Sequence, residues 1–186
     1  LKDDNHYYGK FGKQFLSNSD IGTLLHNPKM FRKESSPSLA MLQGSYFHTL
    51  MLEPEKIKDF KVCETTTRTT KLYKETISEI DEDIIILQKE VNDIQRLCEE
   101  VKKNVFFNEL IYDEANVFEQ PAIAQLGSMT WKGKADIITP DVIVDLKTTS
   151  RIDDFRKSAS RYNYDSQAWI YSQLFKKPML FLVIEK

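Results

Sequence analysis

The sequence predicts an α/β fold with a central mixed sheet of about four strands, flanked by helices and preceded by a helical region. Two observations lead to this prediction. Apolar residues recur at spacings of three and four over residues 74–110, as in helices, and after Asp113 the spacing changes to two, as in strands. The strand candidates form a meander followed by a helix and one more strand. That order implies a mixed sheet with helices packed on it.

Boundary signals divide the first part of the chain into helices. Several N-cap candidates precede a short helix within residues 17–28, and a second helix is expected over residues 39–52, ending before Pro54. Residues 61–73 are rich in threonine and indicate an exposed loop. The apolar stripe over residues 74–110 predicts one long helical stretch that packs against the core.

The second part of the chain is expected to form strands, with one helix before the last strand. β-Branched residues are dense at 142–147, and Thr139-Pro140-Asp141 is a turn signal just before them. We expect strands over residues 117–126, 129–138, 142–147 and 179–184, and a helix over residues 165–175.

Length and composition favour one domain. The chain has 186 residues, of which 41% are hydrophobic, enough for a core of ordinary size. We expect a flexible arm over residues 1–15 and a single domain over residues 16–186, helical in 16–113 and sheet-containing in 114–186. No apolar run approaches the roughly 20 residues that span a bilayer, and no signal peptide precedes the domain, so a cytoplasmic protein without membrane contact is expected.

Charge and cysteine content argue against some classes of protein. The net charge is −2, from 26 basic and 28 acidic residues, which argues against wrapping nucleic acid by overall charge but leaves room for a local basic groove. Cys63 and Cys98 lie far apart, without partners at metal-ligand spacing. A zinc or iron–sulfur site held by cysteine is therefore not expected.

Two neighbouring strands bring an unusual set of charges together. Asp145 and Lys147 are two residues apart in an apolar strand and therefore share a face. If the turn at Pro140-Asp141 closes an even-length loop, Asp136 lies directly opposite Asp145, with roughly 4.5–5.5 Å between Cβ atoms. Two carboxylates this close repel each other unless a cation lies between them, and Mg²⁺ or Mn²⁺ prefers such ligands.

Lys147 can complete a phosphodiester-cleaving arrangement, because its ammonium can orient the attacking water or stabilise charge on the phosphate. The alternative is an ordinary ion pair, Asp145–Lys147 or Asp136–Lys134, on a solvated sheet face. Asp-x-Lys alone is a weak motif, so the residues by themselves leave both interpretations open.

Four short motifs follow one another along residues 16–186. They are Leu-Ser-Asn-Ser-Asp at 16–20, Gly-Ser-Tyr-Phe-His at 44–48, the strand pair with Gly133-Lys134-Ala135-Asp136 and Val144-Asp145-Leu146-Lys147, and Gln-Ala-Trp-Ile-Tyr at 167–171. In this order they resemble the PD-(D/E)XK nuclease superfamily, in the branch that holds RecB-type domains and RecE-like phage exonucleases. Many members have Glu at the position of Asp145; RecE-like members are similar to this chain in using Asp.

The resemblance implies a metal site and a catalytic lysine. His48, Asp136 and Asp145 would be metal ligands, with the Leu146 carbonyl as a further one. Lys147 would be the catalytic base or an electrostatic stabiliser. Without the resemblance, a lone histidine at position 48 is more often a core residue than a ligand.

Two further positions gain a role from the resemblance. Gln167 and Tyr171 lie four residues apart on one helix face, where they would steady Lys147 or contact DNA; a plain surface hydrogen bond is the alternative. On the first strand, Glu119 is a candidate for holding a second metal, in competition with Glu114.

The implied activity is metal-dependent hydrolysis of phosphodiester bonds in DNA end processing and recombination, with Mg²⁺ or Mn²⁺. The enzyme would be an exonuclease of 5′→3′ polarity acting on linear duplex or single-stranded ends. Its partner would be a single-strand annealing protein, a homo-oligomeric ring is an option, and its origin would be a phage or prophage in a bacterial host.

Two alternatives stay open. One is a related endonuclease or a nuclease of opposite polarity, such as the nuclease of CRISPR adaptation, against which the lack of a cysteine cluster counts. The other is a catalytically silent DNA-binding subunit, against which the intact Asp136, Asp145 and Lys147 set counts.

DNA contacts would come from local charge. The candidate basic residues are Arg32, Lys33, Arg68 and Lys71, together with Lys10, Lys13 and Lys29. The aromatic residues of the arm, Tyr7, Tyr8, Phe11 and Phe15, could stack on unpaired bases. The alternative is a solvated surface and a loose tail.

Overall fold

The structure is a computed structural model that describes residues 3–33, 36–80 and 82–186. The chain forms two compact units. We call Leu1–Glu34 with Leu110–Lys186 the sheet unit, and Ser35–Glu109 the helical unit. The expected single domain over residues 16–186 stays a prediction.

The described residues form eight α-helices and six strands. The helices are α1 Asp4–Tyr8, α2 Asn18–His26, α3 Leu39–Leu52, α4 Lys71–Ile80, α5 Gln88–Lys103, α6 Val105–Tyr112, α7 Phe155–Arg161 and α8 Tyr164–Phe175. The strands are β1 Val62–Cys63, β2 Ile86–Leu87, β3 Val117–Leu126, β4 Met129–Ile138, β5 Ile143–Thr149 and β6 Met179–Glu185. Within the described part of the chain, no helix is both long and apolar enough to cross a membrane.

The sheet unit is built on a four-stranded mixed sheet of order β3-β4-β5-β6. β3, β4 and β5 form an antiparallel meander, and β6 pairs parallel to β5 after a crossover through α7 and α8. The predicted α/β fold and strand order are confirmed. In β4 apolar residues such as Ala135 and Ile137 are buried at alternate positions, whereas the first four residues of β5, 143–146, are all buried, so this strand is covered on both faces.

The predicted long helix over residues 74–110 is wrong, because the structure breaks it twice. After α4 the chain turns extended, and Ile86 and Leu87 pair parallel to β1, fully buried. This run of β-branched residues fits a buried strand better than a helix. The second break is at Asn104, whose side chain accepts the N–H of Phe107 at 3.1 Å at the start of α6.

Residues 4–14, expected to be part of a loose arm, are folded in the structure. They form α1 and a 3₁₀ turn at Gly12–Gln14. Tyr7 is buried, and its carbonyl accepts a hydrogen bond from the Lys132 ammonium, which also lies 4.2 Å from the Tyr7 ring centre. A buried Tyr7 cannot stack on a base, and its partner on β4 lies too far away in sequence for a local pattern to reveal.

Candidate active site

A tight turn between β4 and β5 sets the register of the site. Thr139 Oγ1 accepts the backbone N–H groups of Asp141 and Val142, at 3.2 and 3.0 Å. The backbone N–H of Thr139 donates to the Val142 carbonyl at 2.9 Å. Because side chains alternate between the faces of a sheet, this register decides which residues of the two strands lie side by side.

The two strands separate directly after the paired residues Ile137 and Val144, the last pair of the described ladder. One step further, the same register places Asp136 opposite Asp145, as predicted. There the Asp136 carboxylate accepts the N–H of Leu146 at 2.8 Å, in place of a backbone carbonyl. The Asp136 side chain therefore replaces a backbone hydrogen bond between β4 and β5 at the position of the two carboxylates.

The Asp145 carboxylate is buried and held from two sides. Gln167 of α8 donates its amide to Oδ1 at 2.7 Å, and the Lys147 ammonium forms an ion pair with Oδ2. Only 2% of Asp145 is exposed, so this pair does not lie on the solvated face that the alternative interpretation requires. Among the described residues, each oxygen of this buried carboxylate therefore has one partner, the Gln167 amide at Oδ1 and the Lys147 ammonium at Oδ2.

Burial and the charge of Asp145 raise the pKa of the Asp136 carboxyl to about 8, against the opposing effect of Lys147. Burial alone would lower the pKa of Lys147, but the charges of Asp145 and Asp136 outweigh it and raise that pKa. The carboxylates therefore repel each other beyond what Lys147 compensates. A divalent cation would relieve this repulsion, and Lys147 itself is positively charged at neutral pH.

A third carboxylate, Glu119 of β3, lies beside Asp136. An oxygen of each carboxylate lies within 4.8 Å of the other. Glu119 has a φ of 48°, which non-glycine residues rarely adopt, and its side chain forms an ion pair with Lys134 at 2.7 Å. Lys134 also pairs with Asp4 of α1 at 2.9 Å. The competing candidate, Glu114, lies exposed in the turn after α6.

Helix α8 packs closely against β4 at Gly133. A β-carbon there would lie 2.7 Å from Leu174 and 2.9 Å from the Tyr171 ring. The Tyr171 hydroxyl donates to the Lys134 carbonyl at 3.2 Å and accepts the Lys134 N–H at 3.3 Å. Glycine at this position therefore lets α8 lie against the strand that carries Asp136.

The contacts of α8 correct one expectation. Gln167 and Tyr171 were predicted to steady Lys147, but Gln167 contacts Asp145 and Tyr171 contacts the backbone of Lys134. Gln167 and Tyr171 thus position one carboxylate and one strand, and of these two residues only Gln167 is linked to Lys147, through Asp145. A DNA contact by either residue stays a prediction.

Gly133→Ala should lower the stability of the protein by about 1–3 kcal/mol, because the added methyl group would overlap Leu174 and Tyr171. Thermal unfolding measures the effect. Gly44→Ala in α3 is the matched control, since a β-carbon there meets no described atom within 4 Å and alanine favours a helix. An unchanged melting temperature for Gly133→Ala would contradict the close packing of α8 on β4.

His48 lies on α3 in the helical unit, and the predicted bounds of that helix are confirmed. Ser38 caps its start by accepting the Met41 N–H at 3.3 Å. The His48 ring is half-buried and packs edge-to-face against Phe47, with ring centroids 6.0 Å apart. Its role as a metal ligand stays a prediction from the resemblance.

Arg68, expected to contact DNA, is hydrogen-bonded within the helical unit. Its guanidinium donates two hydrogen bonds to Glu90, at 2.7 and 2.9 Å, and one to the Ile85 carbonyl at 3.2 Å. Glu90 also accepts the Leu87 N–H at the start of α5. Because the guanidinium is held inside the helical unit, we leave Arg68 out of the proposed DNA surface.

The other predicted basic residues are exposed. Lys71 pairs weakly with Glu75, at 3.5 Å, and the Arg32 guanidinium lies 4.9 Å from the Phe31 ring centre. Lys33 is exposed directly after Arg32. Their contact with DNA stays a prediction.

Two residues of the site, Lys134 and Tyr164, were given no catalytic role in the predictions from the sequence. Lys134 is two residues before Asp136, so the period of two already places both on one face of β4. Tyr164 of α8 lies under the Lys147 ammonium, 4.9 Å from the ring centre. No local spacing relates Tyr164 to β5, so only the fold could reveal this contact.

Residues 17–181 match a family model described as "PDDEXK-like domain of unknown function". The chain belongs to this family. No curated protein matches it. Among solved structures, this PDDEXK-like domain is similar to a crystal structure described as "Putative exonuclease" from Eubacterium rectale, with a TM-score of 0.67 and 19% identity over 98% of this chain and 71% of the other. At that identity the likeness shows the fold, and the predicted PD-(D/E)XK nuclease core is confirmed.

The donor atoms of the PDDEXK-like domain fit a hard divalent cation. Asp136 and Asp145 lie at adjacent positions where the strands open, and Glu119 reaches within 4.8 Å of Asp136. A carboxylate has about four lone-pair sites, so the Asp145 oxygens that contact Gln167 and Lys147 can still accept a further partner. Carboxylate oxygens of this kind suit Mg²⁺ or Mn²⁺.

Proposed function

We propose that the PDDEXK-like domain is a metal-dependent deoxyribonuclease that hydrolyses phosphodiester bonds. The observation that carries this proposal is the convergence of Asp136, Asp145 and Lys147 where β4 and β5 separate. Burial and, second, the charge of Asp145 raise the pKa of the Asp136 carboxyl, and a bound cation would offset both effects, which supports a cation site. A silent DNA-binding subunit would have no need of such a costly arrangement of buried charge.

Each residue of the site has a distinct task. Asp136 and Asp145 would hold the metal, and Glu119 could add a further oxygen. A bound Mg²⁺ would supply Lewis-acid chemistry, which polarises a phosphate and lowers the pKa of a water molecule. Gln167 keeps the Asp145 carboxylate in one orientation through its 2.7 Å hydrogen bond. Lys147, positively charged at neutral pH, stabilises the charge that develops on the phosphate.

The finer proposal is an exonuclease that enters at a DNA end and works in the 5′→3′ direction. It rests on the RecE-like motifs, and the word "exonuclease" in the description of the similar solved structure agrees with it. His48 and the Leu146 carbonyl as further metal ligands, a single-strand annealing partner, a ring assembly and a phage origin rest on the resemblance alone.

Linear duplex DNA should be shortened progressively in Mg²⁺, whereas covalently closed circles should be attacked little, because they offer no end. The cleavage rates of linear duplexes and of a closed circle are compared. Linear duplexes labelled at the 5′ or the 3′ end also give the polarity, because the label at the attacked end is released first. Asp145→Asn and EDTA are the controls that should show no cleavage. Nicking of circles as fast as linear DNA is shortened would replace the exonuclease with an endonuclease, and full cleavage in EDTA would refute the metal mechanism.

A further inference from the structure

A row of aromatic rings leads from Lys147 to the surface of the sheet unit. The Lys147 ammonium lies 4.9 Å from the ring centre of Tyr164 and 5.8 Å from that of Phe181. Tyr164 stacks on Phe181 with centroids 5.3 Å apart, and it also packs against Phe155 at 5.8 Å and against Tyr162 at 6.0 Å, with an interplanar angle of 31° to Tyr162. The row ends at Tyr162, which is 56% exposed.

The turn that carries Tyr162 is fixed by hydrogen bonds. Asn163 adopts a left-handed conformation, with φ of 54° and ψ of 46°, between α7 and α8. Its carbonyl accepts the side-chain amide of Asn18 at 3.2 Å and the hydroxyl of Ser166 at 2.9 Å. Tyr162 is therefore presented from a well-tethered turn, so its ring is exposed without a large loss of entropy on binding.

The charge around Tyr162 suits a nucleotide. Arg156 and Arg161 are exposed on α7, and the Arg161 guanidinium lies 5.8 Å from the Tyr162 ring centre. An exposed ring beside an arginine can stack on a base while the guanidinium meets a phosphate. A base pair inside a duplex has both faces covered and a terminal pair has one, whereas an unpaired base can turn either face to the ring, so we take an unpaired base as the occupant.

We propose that Tyr162 is a stacking platform for an unpaired base of the DNA strand that is being cut. This inference rests on the proposed nuclease function, since the row connects the platform to Lys147. It goes further by assigning a substrate preference: an end with unpaired nucleotides binds better than a blunt duplex end. Of the aromatic residues near the N-terminus, Tyr7 is buried, whereas Tyr8 and Phe11 are exposed, and base stacking by those two stays a separate prediction.

A single-stranded oligonucleotide with 2-aminopurine at its terminus tests the platform, because the fluorescence of this base falls when it stacks. The assay is run in EDTA, so that no cleavage occurs. Tyr162→Ala should lose the quenching and bind the oligonucleotide about tenfold more weakly, whereas Tyr162→Phe should keep the quenching and the affinity of the wild type. Trp169→Ala is the matched control, since Trp169 on α8 is equally exposed, at 58%, and should change neither. Equal quenching in wild type and Tyr162→Ala would overturn the platform.

Cleavage kinetics in Mg²⁺ separate the platform from the nuclease activity. Tyr162→Ala should raise KM about tenfold for DNA with an unpaired end and change kcat by less than about twofold. If wild type cleaves and Tyr162→Ala has the same KM, the platform fails and the nuclease stands. If neither wild type nor any variant cleaves DNA, but wild type quenches 2-aminopurine and Tyr162→Ala does not, base stacking is supported and the proposed nuclease function is refuted.

Discussion

Lys147→Ala should lower the cleavage rate by about 10²- to 10³-fold or more while metal binding stays nearly intact. The ammonium would stabilise charge on the phosphate, which is worth this much when a single such group is removed from an active site. A lysine ammonium has no lone pair to offer a metal, so the ligands are unchanged. Calorimetry with Mn²⁺ measures binding, and shortening of linear duplex measures activity.

The same substitution leaves the buried Asp145 without its cation, at a cost of up to about 3–5 kcal/mol in the metal-free protein. Lys147→Met is therefore the second variant, because its unbranched side chain can still pack over Tyr164. Lys103→Ala is the control for a lost surface charge, because Lys103 is exposed and pairs with Glu100 one helical turn earlier in α5. Loss of Mn²⁺ binding in Lys147→Met as complete as in Asp145→Ala would contradict the assigned role.

Asp136→Asn should abolish metal binding and yet stabilise the metal-free protein at about pH 9. The pKa of Asp136 in the folded protein is raised to about 8, so the folded state binds this proton more tightly than the unfolded state. The metal-free wild type therefore loses stability as the pH rises from the ordinary carboxyl range towards 8. Asparagine cannot ionise and can still accept the Leu146 N–H, so we expect a gain of about 1 kcal/mol or more, roughly 2–4 °C in Tm.

Melting curves at about pH 5 and about pH 9, with EDTA or Mg²⁺, measure whether Asp136→Asn is more or less stable than the wild type. The difference between wild type and Asp136→Asn should vanish near pH 5, where Asp136 is protonated, and should reverse in Mg²⁺, which stabilises only the protein that binds it. Glu114→Gln removes an exposed carboxylate and is the matched control. The same pH dependence in both variants would contradict a specific effect of Asp136.

The sequence alone determined the strands and the core of the candidate site. The alternation of apolar residues gave β4 its bounds of Met129–Ile138, and the turn residue Thr139 closes the hairpin with the predicted register. Both signals act between residues close in the chain. For the same reason, the shared face of Asp145 and Lys147 followed from the period of two.

Only the tertiary structure decided what surrounds that core. The break of the expected long helix depends on burial of Ile86 against a strand that comes more than twenty positions earlier, and the folding of α1 depends on Lys132. The choice of Asp145 as the partner of Gln167, and the contact of Tyr164 with Lys147, depend on how α8 crosses the sheet. Such contacts join residues that no periodic pattern relates, because their distance in space is set by packing and not by spacing along the chain.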